Sequence, residues 1–223
     1  ETLRDIVNRK LCGQKVPFSD ELRKFSITLQ FYSNKAYNFV RKQFSNILPH
    51  PRTLTKWYKS IDGDPGFTSE SFNTLRLKTQ ENSIVLANVV VDEMSIKDKI
   101  EFDGTKFHGL VDMGSAGIDN CDNDNMDHAT NALVFMAVGI NSHWKLPLGY
   151  FLVKGLNGSE RANLMQKCLE LLNETGVKVH TITFDGAHSN LSMCTKLGTN
   201  FNLNNPQFFF PHPVTQEKIF VFY

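Results

Sequence analysis

The sequence has no apolar run long enough to cross a bilayer and no recognisable signal peptide. Its cysteines, Cys12, Cys121, Cys168 and Cys194, form no C-x-x-C pair, so a zinc knuckle is not expected. Scattered thiols favour a reducing compartment over paired disulfides. No phosphate-binding glycine loop is present, which argues against a nucleotide switch within these residues. Because Glu1 stands where an initiator Met would, we expect a piece cut from a longer protein.

Charge is nearly balanced overall, at +1, but it is divided unevenly along the chain. Residues 1–60 hold 12 Lys and Arg against 4 Asp and Glu, a net charge of +8. Residues 61–223 hold 12 Lys and Arg against 19 Asp and Glu, a net charge of −7. This asymmetry predicts a basic module that meets a polyanion, joined to an acidic module that needs cations. Two solvated faces that attract each other are the alternative.

The basic part of the chain has helical periodicity throughout. We expect an N-terminal helix or tail over residues 1–16, then a helix-turn-helix domain over residues 17–62. Ser19 and Ser33 are the predicted N-caps of its first two helices, and the third begins near Arg52 after two prolines.

The last helix of a helix-turn-helix enters the major groove, and neighbouring cations reach the phosphates. The predicted DNA-binding residues are Arg41, Lys42, Arg52, Lys56 and Lys59. A small helical bundle with a charged exterior is the alternative.

The acidic part of the chain predicts an α/β domain. A linker helix is expected over residues 63–83, and the domain itself over residues 84–223. Its predicted strands and extended segments are 84–95, 100–113, 131–142, 148–153, 177–185 and 219–223. Helices are expected at about 159–175, capped by Ser159, and 187–197. The first three strands would form an antiparallel meander, and strand 177–185 would return parallel to strand 84–95.

Two aspartates end apolar strands of this domain. Asp92 closes the run that begins at Val85, and Asp185 closes the run that begins at Val177. If these strands are neighbours, the two carboxylates can bind Mg²⁺, which prefers oxygen ligands and keeps several waters. That arrangement favours phosphate-ester chemistry. The alternative is that both are ordinary strand-end or turn residues.

Other polar residues compete for a role in such a site. Glu93 alternates to the face opposite Asp92, and Asp112 is the weaker candidate of the remaining acids. The acidic run at residues 119–127 lacks the glycine and the final glutamate of an EF-hand, so we expect a solvated loop. His188 is interpreted as a structural residue at a helix start rather than a DNA contact.

Four segments of the sequence have a distinctive order and spacing. They are Leu48-Pro49-His50-Pro51-Arg52-Thr53-Leu54, Val90-Val91-Asp92-Glu93-Met94, Phe107-His108-Gly109-Leu110-Val111-Asp112-Met113-Gly114 and Thr183-Phe184-Asp185-Gly186-Ala187. Together they resemble the P-element transposases, above all the relatives that carry an amino-terminal THAP zinc finger. The resemblance covers residues 17–223.

The resemblance implies a nuclear cut-and-paste DNA transposase with a ribonuclease-H-like (RNase H-like) mixed sheet. Asp92 and Asp185 match the first two members of the family's Asp-Asp-Glu catalytic set, which uses Mg²⁺ or Mn²⁺. The glutamate is expected beyond residue 223, so this part alone should be inactive. Transposon-end and target DNA are the implied partners. Homo-oligomerisation and GTP use, through a domain outside these residues, are implied for the full-length protein.

A different class of function is the main alternative. A domesticated DNA-binding protein could keep the transposase fold without catalysis. A haloacid-dehalogenase-type phosphatase is disfavoured, because Asp92 is followed by Glu93 and Met94 rather than forming Asp-x-Asp.

Overall fold

The computed structural model describes residues 2–12, 17–58, 63–81, 84–104, 106–114 and 127–223. The chain divides into two compact units, Glu1–Asp62 and Gly63–Tyr223. None of the helices in the described ranges combines the length and the apolar content needed to cross a membrane.

The first unit, here called the helical unit, contains four helices in its described residues. They are α1 (Thr2–Cys12), α2 (Asp20–Tyr32), α3 (Asn34–Gln43) and α4 (Pro51–Tyr58). The predicted caps are confirmed, since Ser19 Oγ accepts from the Leu22 N–H and Ser33 Oγ accepts from the Ala36 N–H. The Ser33 N–H also donates to the Leu29 carbonyl, so one residue ends α2 and begins α3.

Buried apolar side chains hold the helical unit together and fix the entry to α4. Its core consists of Ile6, Leu22, Tyr37, Ile47, Leu48 and Leu54. The Tyr37 hydroxyl donates to the Pro49 carbonyl over 2.6 Å, and burial raises the pKa of this phenol. The chain between α3 and α4 therefore has a fixed course, and Pro51 begins α4 at the position where a missing N–H costs nothing.

The second unit, here called the sheet unit, places the remaining elements around one mixed sheet. Its helices are α5 (Ser69–Glu81), α6 (Gly158–Glu174) and α7 (His188–Leu197). Its strands are β1 (Gly66–Phe67), β2 (Leu86–Ser95), β3 (Glu101–Phe102), β4 (Phe107–His108), β5 (Asn131–Gly139), β6 (Lys145–Val153), β7 (Lys178–Thr183), β8 (Phe209–Pro211) and β9 (Lys218–Phe222).

Within the described residues the main sheet has the order β1-β6-β5-β2-β7-β9-β8. Strands β2, β5 and β6 form an antiparallel meander, whereas β7 runs parallel to both β2 and β9. The predicted mixed sheet and the predicted parallel pairing of β2 with β7 are confirmed. The parallel strands are the part of the sheet that carries Asp92 and Asp185.

The expectation of a strand over residues 100–113 within the meander is wrong. Strands β3 and β4 instead form a separate two-stranded ribbon, and between them the Asp103 N–H donates to the Lys106 carbonyl. The ribbon's side chains are exposed, and Phe102 contacts Phe107 across it with ring centroids 4.9 Å apart. Charged residues interrupt this segment, so it has no continuous apolar face to bury, and β5 takes the place beside β2.

The predicted cap of α6 is also wrong. Asn157 is the N-cap, because its Oδ1 accepts from the backbone N–H groups of Ser159 and Glu160. The Glu160 side chain in turn accepts from the Asn157 N–H, which completes a capping box. An asparagine three positions before a glutamate is the capping-box pattern, so α6 begins earlier than the cap expected at Ser159.

The core of the sheet unit lies on one face of the sheet. Alternate residues of β2, Ala87, Val89 and Val91, are buried there with residues of α6 and α7 such as Met165 and Met193. An edge-to-face cluster of Phe67, Phe72, Phe135 and Phe151 adds aromatic packing near β1 and β6. The buried stripe leaves the other face of β2, which includes Asp92, turned away from this core.

His212 is a buried titratable group in the turn between β8 and β9. Its Nδ1 accepts from the Val214 N–H over 3.1 Å, so the folded state holds a neutral ring. Burial lowers the pKa of His212 from its ordinary value near 6.5, against the opposite influence of the Leu169 backbone, Glu217 and Glu170.

We expect His212 to contribute to the pH dependence of the stability of the sheet unit. Because its pKa is lower in the folded state, His212 binds a proton more readily in the unfolded state. The stability that neutral His212 contributes is therefore complete above pH 6.5 and is lost as the pH falls through 6.5 towards the lower folded-state pKa. His212→Asn keeps an acceptor without titrating, and should reduce the fall in unfolding temperature between about pH 7.5 and pH 5.5. The exposed His143→Asn is the control and should retain the wild-type response. An unchanged pH response in His212→Asn would contradict the assignment.

Candidate functional site

Strand β2 delivers Asp92 to the end of the sheet. The valine-rich run that precedes it favours an extended backbone, and alternation buries Val89 and Val91 while Asp92 is exposed. Asp92 lies opposite Val134 of β5, so one side of its strand is already paired there. The carboxylate is therefore held on a strand whose position is fixed, yet water can solvate it.

Strand β7 brings Asp185 to the neighbouring strand end through a shift in register. Ala87 pairs with Val179, but Asn88 pairs with Thr181, so His180 is an extra residue in β7. The last pair of the ladder is Val90 with Thr183. Asp92 and Asp185 each lie two residues beyond that pair, so they occupy corresponding positions past the end of the ladder between two adjacent parallel strands.

A polar clamp holds this register just before the two aspartates. Asn88 Oδ1 accepts from the Thr181 hydroxyl over 2.8 Å and from the Thr183 hydroxyl over 3.2 Å. Both threonines can reach Asn88 only in the shifted register. The clamp therefore favours the pairing that sets Asp185 level with Asp92 rather than with Glu93.

Each aspartate is oriented through one of its oxygens. Asp92 Oδ1 accepts from the Glu93 N–H over 2.9 Å. Asp185 Oδ1 accepts from the Asn190 side chain over 2.6 Å and from the Ala187 N–H over 3.3 Å. Among the described residues no hydrogen bond reaches the second oxygen of either carboxylate, and neither carboxylate forms an ion pair.

This donor set fits a hard divalent cation. Two aspartate oxygens at adjacent strand ends suit Mg²⁺, which binds few carboxylates and retains water. Within the described ranges no three His, Cys, Asp or Glu side chains come together as a metal site. Asp92 and Asp185 would supply two of the oxygen ligands of such a cation, and water can fill further positions.

Behind the aspartates lies a buried network that sequence reasoning missed. Arg161, in the first turn of α6, donates through Nη2 to the Glu93 carboxylate and through Nη1 to Asn190 Oδ1 over 3.2 Å. Asn190 then donates to Asp185. A positive charge in the first turn of a helix interacts unfavourably with the helix dipole. This position of Arg161 was the one local feature of the sequence that indicated a compensating partner distant along the chain.

The remaining polar candidates take other roles. Asp112 accepts from the Gly114 N–H and bridges to Leu152 of β6, so it stabilises a turn. His188 is exposed at the start of α7. Most of the predicted acidic loop, residues 119–126, lies outside the described residues. Burial raises the pKa of Cys194 to about 12 and also raises that of Cys168, which disfavours a thiolate at either position.

The helical unit presents some of its predicted DNA-binding residues to solvent. Arg52 and Lys56 are exposed one turn apart on α4, and Lys42 is exposed at the end of α3. Arg41 is half-buried and donates to the Leu48 carbonyl and to Asn46 Oδ1, which supports the turn between these helices. Lys59 lies outside the described residues.

Two family descriptions match the chain. Residues 63–198 match the TNP-like, RNase H N-terminal domain, and residues 1–57 match the Transposable element P transposase-like, HTH domain. These matches agree with the resemblance and with the helix-turn-helix and mixed-sheet folds expected from the sequence.

Similar proteins are much longer than this chain. DNA transposase THAP9 from Homo sapiens is 29% identical over 203 residues, which cover 90% of this chain and 22% of that protein. A solved structure, the Drosophila P element transposase strand transfer complex, gives a TM-score of 0.69 at 21% identity. The match covers 98% of this chain and 44% of the solved chain. This likeness shows that the fold is RNase H-like.

The Arg161–Glu93 pair makes a prediction about stability. Their side chains are only 5% and 21% exposed, so removing one partner leaves a poorly solvated charge. Arg161→Met should lower the free energy of unfolding of the sheet unit by about 3 to 5 kcal/mol. The double change Arg161→Met with Glu93→Leu should recover most of that loss, as measured by denaturant unfolding. Additive losses in the double variant would show that the two side chains do not form a coupled pair.

Proposed function

The chain belongs to the P element transposase-like family, and we propose that it supplies DNA binding and two catalytic carboxylates to a cut-and-paste DNA transposase. The observation that carries the proposal is the parallel register of β2 with β7, whose last pair, Val90 with Thr183, lies two residues before Asp92 and Asp185. The family matches and the transposase relatives support the same chemistry, which is cleavage and joining of DNA strands.

The proposed mechanism assigns a distinct task to each residue of the site. Asp92 and Asp185 hold Mg²⁺ or Mn²⁺ through oxygen atoms, together with a glutamate that we place beyond residue 223. Bound divalent cations supply charge stabilisation for in-line displacement at phosphorus. The Asn88 clamp keeps the two strand ends in register, and Asn190 orients the Asp185 carboxylate.

The helical unit is proposed to bind duplex DNA through α4. Arg52 and Lys56 are exposed on this helix, where they can contact phosphates or base edges. The excess of positive charge in residues 1–60 supports the same assignment. Arg41 would contribute chiefly by holding the turn that precedes α4.

Replacing either proposed metal ligand should abolish most DNA cleavage by the full-length protein. Asp92→Asn and Asp185→Asn keep an acceptor at Oδ1, so the fold is preserved while a negative charge is lost. We expect the cleavage rate in Mg²⁺ or Mn²⁺ to fall at least roughly 100-fold, because the cation contributes several kcal/mol to the transition state.

Asp112→Asn is the matched control, since that aspartate serves a turn in the sheet unit, and it should cleave at nearly the wild-type rate. Cleavage that persists in both the Asp92 and Asp185 variants would refute the site. A wild-type protein that binds DNA but never cleaves it would favour the non-catalytic alternative.

DNA binding should respond to the two exposed cations of α4. Arg52→Ala and Lys56→Ala should each weaken binding and reduce the slope of log K against log salt by about 1, as one phosphate contact is lost. Fluorescence anisotropy of a labelled duplex across a salt series measures both effects. Lys24→Ala, an exposed change on α2, is the control. Binding by the wild-type protein that does not depend on salt would contradict a phosphate-contacting role.

A further inference from the structure

We infer that Arg161 and Asn190 are positioning residues for the Asp185 carboxylate. Together with Glu93 they form a relay, Glu93–Arg161–Asn190–Asp185, that joins the ends of β2 and β7 through the first turns of α6 and α7. The inference rests on the proposed function, because it assigns the relay to a metal-binding carboxylate.

The relay is well ordered because its two central members are buried. Arg161 is 4% exposed and Asn190 is 3% exposed. Arg161 also donates through Nε to the Leu156 carbonyl over 3.3 Å, so each of its three nitrogens has an acceptor. A guanidinium held at three points has little freedom to move.

Arg161 determines which end of the Asn190 amide faces Asp185. Its Nη1 donates, so it requires the oxygen of the amide, and the nitrogen is then directed towards Asp185 Oδ1. The hydrogen-bond network therefore assigns the orientation of the amide. Without Arg161 the amide could turn its oxygen towards the carboxylate, and the two acceptors would repel each other.

An asparagine in this place orients the carboxylate without neutralising it. A direct arginine partner would form an ion pair with Asp185 and compete with a cation for its charge. The positive charge of Arg161 is instead balanced by Glu93, and Asp185 Oδ1 receives two donors that are both neutral, the Asn190 amide and the Ala187 N–H. Its second oxygen keeps its lone pairs for a metal.

The decisive measurement is Mn²⁺ binding to full-length protein without DNA, monitored by the decrease in the EPR signal of free Mn²⁺. Asn190→Leu removes the shorter of the two hydrogen bonds to Asp185 at similar volume, so the cation must order a carboxylate that only the Ala187 N–H still contacts. We expect the dissociation constant to rise about three- to tenfold, the cost of fixing one side chain. The half-saturating Mn²⁺ concentration for cleavage should rise by the same factor, with a near-normal rate at saturation.

A second variant tests the relay without deleting the asparagine. Arg161→Lys keeps a positive charge beside Glu93, but one ammonium cannot reproduce the planar fork that contacts both neighbours. It should show the same shift in Mn²⁺ binding. Asn163→Leu, an exposed change on α6, is the matched control and should bind Mn²⁺ like the wild type.

The outcomes separate this inference from the proposed function. If Asp185→Asn loses Mn²⁺ binding and cleavage while Asn190→Leu and Arg161→Lys keep the wild-type dissociation constant, the relay inference fails and the proposed function stands. A lower unfolding temperature with unchanged Mn²⁺ binding shows a purely structural role and also overturns the inference. If the wild type neither binds Mn²⁺ nor cleaves DNA, the proposed function fails and the inference fails with it.

Discussion

The register between β2 and β7 is the constraint on which the candidate site depends. A parallel ladder continued regularly from Ala87 and Val179 would set Asp185 level with Glu93, on the face opposite Asp92. One extra residue, His180, changes that outcome by shifting every later residue of β7. The shift interrupts the regular backbone pairing of β2 with β7 beside Asn88. The hydrogen bonds from the Thr181 and Thr183 hydroxyls to Asn88 Oδ1 compensate for this interruption.

The distribution of charge agrees with the metal-binding role proposed for Asp92 and Asp185. A carboxylate that binds a cation has to keep its charge, and within the described residues neither Asp92 nor Asp185 has a cationic partner. The nearby arginine is neutralised by Glu93 instead, while much of the positive charge of the sequence lies in residues 1–60. The cations proposed to attract a polyanion and the acids proposed to hold a metal thus belong to different units of the chain.

The parts that sequence could predict are those with a local pattern. Apolar runs marked the strands that end at Asp92 and Asp185, and serine caps marked α2 and α3, because each pattern acts over a few residues. The pairing of β2 with β5 could not be read from the sequence, since intervening apolar residues such as Phe102 and Phe107 also favour a strand in that place. The relay was equally hidden, because Arg161 lies 68 residues from Glu93 and 29 from Asn190.

The cost of the Arg161–Glu93 pair argues that its purpose is geometric. Taking two charges out of water costs several kcal/mol per ion, and well-packed apolar side chains in their place are often as stable or more so. Stability alone therefore gives little reason to bury an arginine at the start of α6, where the helix dipole also opposes it. A fixed guanidinium does specify the orientation of the Asn190 amide, which no apolar pair could do. The burial of Arg161 is thus better explained by the orientation that it gives Asn190, and through Asn190 the Asp185 carboxylate, than by the energy it adds to the fold.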